Sequence, residues 1–283
     1  MFDKAYVTKD VESIGVNSEF LPDIFCAGLE SYGSDLCGFM MTPQGEGPHP
    51  TAILLHGFPG YDDPIDLAHA LRRCGMNVLR FHYRGSWGVK GTFSFTHCLE
   101  DVKSAIDFLV DQKVVKQFNI DTDNLFLVGH SMGGFMTLNN ACDERIKASV
   151  AISPYDFGLI GKIGHYNEKE KNEAFEMYKT ALAPLNNTTA ELLMQECLDN
   201  GDKWNLPDKA ETLASERLLI TVATRDIISK KYLHYDTLAE EIKKYNKNNL
   251  TEKFVDTDHS YSNKRIWLAE TVAEFLDEII NEK

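Results

Sequence analysis

Short apolar runs alternate with amphipathic segments along most of this chain. Thr51 to Leu55, Asn77 to Phe81, Asn124 to Val128, Ala148 to Ile152, Leu218 to Ala223 and Glu252 to Val255 predict strands. Between them Asp66 to Cys74, stopped by Gly75, and Gly134 to Ala141 predict helices. Cys98 to Val115 carries Val102, Ala105, Ile106 and Leu109 at helical spacing. Tyr235, Leu238, Ile242 and Tyr245 mark a further helix, and Ala269, Val272, Leu276 and Ile279 share one face of a last one. Strands alternating with helices predict an α/β fold, a mainly parallel sheet covered on both faces. Phe25 to Glu30 and Asp35 to Met41 predict a hairpin around Ser31-Tyr32-Gly33-Ser34, and Pro43 to Pro50 a loop. Residues 1–20 have weak periodicity and read as an N-terminal arm.

The alternation breaks between Phe157 and Leu213. This stretch carries the polar run Glu168 to Glu173 and helix-like clusters at Phe175 to Leu182 and Ala190 to Leu198. An insertion of this length between two sheet strands predicts a helical cap over a site, since long insertions in compact domains are usually functional. The expected division is a core of residues 1–156 and 214–283 with a cap or lid at 157–213.

Composition narrows the class. The 283 residues are 43% hydrophobic and 25% charged, as in ordinary globular proteins. A net charge of -14 argues against nucleic acid and anionic membranes as partners. No apolar stretch approaches the ~20 residues of a membrane span, and the start of the chain lacks a secretory pattern. The six cysteines form no C-x-x-C pair and read as buried free thiols, so a cytoplasmic location is expected. No histidine pair has metal-ligand spacing, and no phosphate-cradling glycine motif occurs, so neither metal nor cofactor is expected.

The chemistry concentrates at Gly129-His130-Ser131-Met132-Gly133, a G-x-S-x-G pattern between an apolar strand and a helix. Strand, sharp turn and helix are the setting of a nucleophile elbow, with Ser131 raised at the sheet edge. A serine hydroxyl needs a base and an orienting acid, in the chain order serine, acid, histidine. Asp226 follows the Leu218 to Ala223 strand, and His259 follows the last strand. Asp226 could instead cap a helix, and Asp256 and Asp258 are alternative acids. An oxyanion needs N–H donors. Met132 opens the helix after Ser131; the loop His56-Gly57-Phe58-Pro59-Gly60 offers Phe58, because Pro59 has no N–H. Arg84 is expected to pair with an acid and brace the oxyanion loop. His82 and His97 flank the Arg84 loop as candidate site-lining residues, and His130 points away from substrate. His49 reads as a loop residue; His69, His165 and His234 read as surface or helix positions.

With these pieces the chain resembles the α/β-hydrolase superfamily, in the group of prolyl-oligopeptidase-like, serine-aminopeptidase-like and feruloyl-esterase-like enzymes. The resemblance implies a mostly parallel eight-stranded sheet and a triad of Ser131, Asp226 and His259. It also implies an oxyanion hole from Phe58 and Met132 and no cofactor. It does not choose a substrate. An ester of a small molecule is the first expectation and a short peptide the second, with a homodimer left open. An aminopeptidase would need acids such as Asp62, Asp63 or those of the cap. A cap face of Phe157, Leu159, Ile160, Phe175 and Tyr178 would suit an acyl chain or aromatic acid. A dehalogenase would carry Asp at position 131. A non-catalytic binding protein would be expected to lack a triad member, and all three are present.

Overall fold

The computed structural model describes residues 1–11 and 20–282; the remainder of the expected N-terminal arm, 12–19, lies outside the described residues. After a 3₁₀ turn at Lys4–Tyr6 come β1 (Asp23–Cys26), β2 (Glu30–Ser31), β3 (Ser34–Asp35), β4 (Phe39–Thr42) and β5 (His49–Leu55). Then α1 (Ile65–Arg73), β6 (Asn77–Arg80), α2 (Phe95–Val110), α3 (Gln112–Phe118), β7 (Ile120–His130), α4 (Met132–Asn140) and β8 (Ile146–Ile152) follow. Four helices lie between β8 and the next strand: α5 (Phe157–Gly164), α6 (Glu168–Thr180), α7 (Ala190–Trp204) and α8 (Ala210–Leu213). The chain closes with β9 (Leu218–Ala223), α9 (Lys231–His234), α10 (Asp236–Tyr245), β10 (Leu250–Val255) and α11 (Arg265–Asn281).

One eight-stranded sheet runs in the order β1-β4-β6-β5-β7-β8-β9-β10. Only the pairs of β4, with β1 and with β6, are antiparallel. β5, β8 and β9 are buried along nearly all their length, and β7 from Leu125 onward, because each feeds two cores. On β5, Ala52 and Leu54 join α1 and α11 on one side, while Ile53 and Leu55 join α2 and α4 on the other. Phe126 and Val128 against Leu125 and Leu127 repeat this on β7. Period-two side chains with both faces covered favour apolar residues at most positions, which is why these strands read as apolar runs despite buried polar residues such as Thr51, Ser149 and Thr221. The described part of the arm packs too: Phe2 and Val7 enter the α1–α11 core, and Asp3 N–H donates to Cys74 O at 2.7 Å.

Several sequence expectations need correction. The single helix at 98–115 is two. Asp111 turns extended (ψ 129°), and its carboxylate accepts from Lys113 and Val114 N–H, starting α3 anew. The hairpin is split: β1 pairs with β4 across the wide arms, with β2 and β3 as a small ribbon inside. Three of the cysteines, Cys26, Cys37 and Cys142, are exposed rather than buried, and all six are free. His49 is no loop residue; it opens β5, buried, with its ring bonded to Gly45 and Gly75 carbonyls. No helix among the described residues is long and apolar enough to cross a membrane.

Helix α5 was not legible in the sequence, because Gly158, Gly161 and Gly164 depress helix propensity. Its glycines answer to packing. A Cβ on Gly161 would lie 1.8 Å from Cys197 O, so α5 and α7 cross with their backbones nearly touching. The side chains of α5 to α8 join the same apolar cluster as the sheet. Gly161→Ala should therefore lower stability by about 1–3 kcal/mol, the usual cost of overpacking. Thermal unfolding followed by circular dichroism reads this directly, and an unchanged Tm would contradict the close crossing.

Candidate active site

At the end of β7 the chain reverses into α4 through Ser131, which takes φ 56° and ψ −114°. Such a conformation costs a non-glycine residue about 1–3 kcal/mol and persists only where its surroundings enforce it. Here they do. Ser131 N–H donates to Ile152 O on β8 (2.9 Å), and Ser131 O accepts from Phe135 and Tyr155 N–H (3.1 Å each). The flanking glycines are required by contact. A Cβ on Gly129 would sit 2.1 Å from Gly133 O, and one on Gly133 would sit 2.0 Å from Leu55 O. The turn is wedged between β5 and its own helix. Met132 is the first residue of α4, so its N–H has no acceptor within the helix.

Asp226 stands just past β9. Its Oδ1 accepts from Ile228 and Ser229 N–H, both at 2.8 Å. His259 Nδ1–H donates to its Oδ2 at 2.5 Å. That bond leaves Nε2 of the neutral imidazole as the free acceptor. Burial alone would push the Asp226 carboxyl up. The bond and charge of His259, with the two N–H groups, outweigh it and hold the carboxyl below its ordinary range. The other acids are occupied elsewhere: Asp256 pairs with Arg225 at 2.7 Å, and Asp258 accepts from Ser262 N–H. Ser131 and His259 face one cavity of 190 Å³, with no direct hydrogen bond between their side chains; such contacts are often loose before substrate binds.

Two residues that sequence reasoning did not assign hold His259 in place. His130 Nε2–H donates to His259 O at 2.9 Å, beneath the imidazole and away from the cavity, as expected of its direction. Tyr261, unforeseen, buries its hydroxyl between Thr221 (2.8 Å) and Ser153 (3.0 Å), pinning the His259 loop to β8 and β9. An aromatic two positions after a candidate histidine was the only signal in the sequence.

The loop between β5 and α1 brings Phe58 and Pro59 to the same cavity. Its support differs from expectation. Arg84 does pair with acids, Asp101 at 2.5 Å and Glu100 at 2.5 Å, but these tie its own loop to α2. The oxyanion-side loop is held instead by Trp87, whose Nε1–H donates to Pro59 O at 2.7 Å. His82 and His97 do not line the cavity. His82 lies against His56 and Trp87, and His97 bonds back to Thr92 O. His234 is no surface residue; it is buried, and its Nδ1 accepts from Asp156 N–H at 3.1 Å.

Aromatic and aliphatic side chains make up most of the cavity wall: Phe58, Tyr61, Tyr155, Phe157, Met177, Ala181 and Ile228. Of the expected cap face, only Phe157 reaches it. Ile160 and Tyr178 turn into the core, and Phe175 faces a separate cleft between α6 and α7. Met177 and Thr180, three apart and on one face of α6, take their place, because the sequence did not say which face of α6 meets the sheet. Asp62 and Asp63 stay outside this wall, and Asp63 pairs with Arg80. Among the described residues no three His, Cys, Asp or Glu side chains gather as metal ligands would.

Comparison with known proteins places this geometry. The sequence model of the alpha/beta hydrolase family matches residues 52–230. An uncharacterised 31.7 kDa protein of Escherichia coli is 29% identical over 158 residues, 54% of each chain, so the match spans about half of that relative. Among solved structures, ferulic-acid-bound Est1E from Butyrivibrio proteoclasticus superposes with a TM-score of 0.65 at 19% identity, covering 90% of this chain and 99% of its own. The Pyrococcus furiosus esterase PF2001 gives a TM-score of 0.66 at 20% identity, covering 95% and 96%. At these identities the structural likeness is one of fold.

The buried histidines make stability depend on pH. Burial drives His56 to about 3, His130 to about 4 and His234 to about 3. Unfolded histidine titrates near about 6.5. Below that pH the unfolded chain binds protons that the folded chain refuses, so stability is complete above it and drains as the pH falls toward the folded values. The urea midpoint should drop between pH of about 7 and about 5, with each such histidine contributing up to about 1.4 kcal/mol per pH unit. A flat midpoint across that window would contradict neutral, buried imidazoles.

Proposed function

The chain belongs to the alpha/beta hydrolase family, and on that premise we propose that it is a serine carboxylesterase acting on a small-molecule ester. The observation that carries the reading is the Asp226–His259 pair, which leaves Nε2 free beside a strained serine in a largely apolar pocket.

In this mechanism His259 Nε2 takes the Ser131 proton as Oγ attacks the ester carbonyl. Asp226 fixes the tautomer and stabilises the imidazolium that forms. Charge developing on the carbonyl oxygen is met by the N–H groups of Met132 and Phe58. His259 returns its proton to the departing alcohol. Water, deprotonated by the same imidazole, then releases the acid from Ser131. The insertion between β8 and β9 acts as a fixed cap, supplying Phe157, Met177 and Ala181 to the substrate wall.

The wall supports an ester over an aminopeptidase substrate. Beyond His259 it holds no charged side chain, and a free ammonium there would lose its hydration without a carboxylate in return. An aromatic or short aliphatic acid would instead pack on Phe58, Tyr155 and Phe157. The ferulic acid held by Est1E is a ligand of that kind in a related fold.

The test is kcat/KM on a short-chain p-nitrophenyl ester against an aminoacyl p-nitroanilide, with Ser131→Ala as control. Ester turnover should dominate. Ser131→Ala should lose several orders of magnitude, and Asp226→Asn about 10⁴-fold in kcat, as a wrong tautomer does elsewhere. Dominant anilide cleavage would make the protein a peptidase. Wild-type turnover in Ser131→Ala, or no labelling of Ser131 by a fluorophosphonate, would remove the catalytic assignment altogether.

A further inference from the structure

A second chamber of 130 Å³ adjoins the Ser131 cavity; the two share Tyr155, Met177 and Ile228 as walls, and the Lys230–Glu170–Glu173 cluster lines its other side. Resting on the esterase reading above, we propose that Met177 is the specificity-determining partition: its side chain sets how long a substrate chain the site accepts.

The three shared walls are not equally fixed. Tyr155 is held by its backbone, whose N–H donates to Ser131 O. Its ring packs between His234 and Phe157, at centroid distances of 4.3 and 4.9 Å. Ile228 N–H is bonded to Asp226, and its side chain, 40% exposed, lies at the mouth. Met177 alone is a side chain projecting from a helix surface, half-buried, with an unbranched thioether that fills irregular space. Helix α6 itself is fixed beside it, because Lys230 reaches across from the Asp226 loop to bond Glu170 at 2.8 Å, and Glu173. The partition is therefore one flexible side chain on an anchored helix. Shortening it joins the two chambers without disturbing Ser131, Asp226 or His259.

Excess length against such a wall is penalised steeply, about 10-fold or more per methylene in a closed apolar pocket. Two substrate series test the partition and say which half of the ester meets it. One is p-nitrophenyl esters from acetate to octanoate; the other is acetate esters from ethyl to octyl alcohol. In one series the wild type should fall by at least about 10-fold between the four-carbon and eight-carbon members. Met177→Ala should recover that loss by about 10-fold or more relative to p-nitrophenyl acetate turnover of the same variant. Met177→Leu, which retains the bulk, should keep the wild-type limit. An unchanged length profile in a Met177→Ala protein that still hydrolyses the acetate would overturn the proposal. So would a shift produced by Ile228→Ala alone. If the wild type and Ser131→Ala were equally inactive on p-nitrophenyl acetate, the esterase reading itself would fail, an outcome distinct from an unchanged profile.

Discussion

The backbone of Ser131 is the constraint on which the rest of the site depends. Its N–H is taken by β8, its carbonyl by Tyr155 and by its own helix, and the glycines beside it press on β5 and α4. One residue in a strained conformation thus joins two central strands, a helix and the first turn of the inserted segment. Because Tyr155 hangs from the Ser131 carbonyl, Ser131 and the Tyr155 wall of the pocket are set by the same hydrogen bonds. The strain is carried by surrounding packing, as a residue at positive φ requires.

The inserted helices are tied to that scaffold by hydrogen bonds. Glu196 on α7 accepts from Phe95 and Thr96 N–H at 2.9 and 2.8 Å, closing the open start of α2 with a carboxylate. Asn186 exchanges backbone bonds with Gly85 and Phe93, and Trp87 N–H donates to Pro184 O. Asp156, wholly buried, bonds Leu159 N–H and Leu206 N–H at 2.9 Å each, so it ties the first turn of α5 to the segment after α7. Burial pushes its carboxyl up to about 7, with those N–H groups pulling the other way. A pocket wall made this way has a fixed shape, apart from the long side chains that line it.

Histidines near the site divide into two kinds by what faces them. His56, His130 and His234 are enclosed without a carboxylate partner, stay neutral, and serve as hydrogen-bonding parts of the frame. His259 alone has a carboxylate against one nitrogen and the cavity against the other. The same side chain is enclosed in one setting and opens onto a cavity in the other. The sequence carries little of that distinction, since each lies in a short loop or at an element end.

Much was nonetheless legible. Apolar runs mark every central strand, because a strand covered on both sides has few places for a polar residue. The elbow was readable because tight backbone contact excludes any side chain at Gly129 and Gly133, and that exclusion is written directly as glycine. That Asp226 and His259 would meet was readable from their places after β9 and β10, since a parallel sheet brings its strand ends to one edge. What the tertiary structure decided is what depends on contacts between distant segments. It chose Asp226 over Asp256 and Asp258, turned Met177 rather than Phe175 toward the cavity, and hid His234 behind Tyr155. It also made a helix of the glycine-rich Phe157–Gly164, where the close approach of α7 overrides local propensity. Local pattern fixes which residues can form an element. Which face that element buries, and which polar atoms meet across it, depends on the neighbour it packs against.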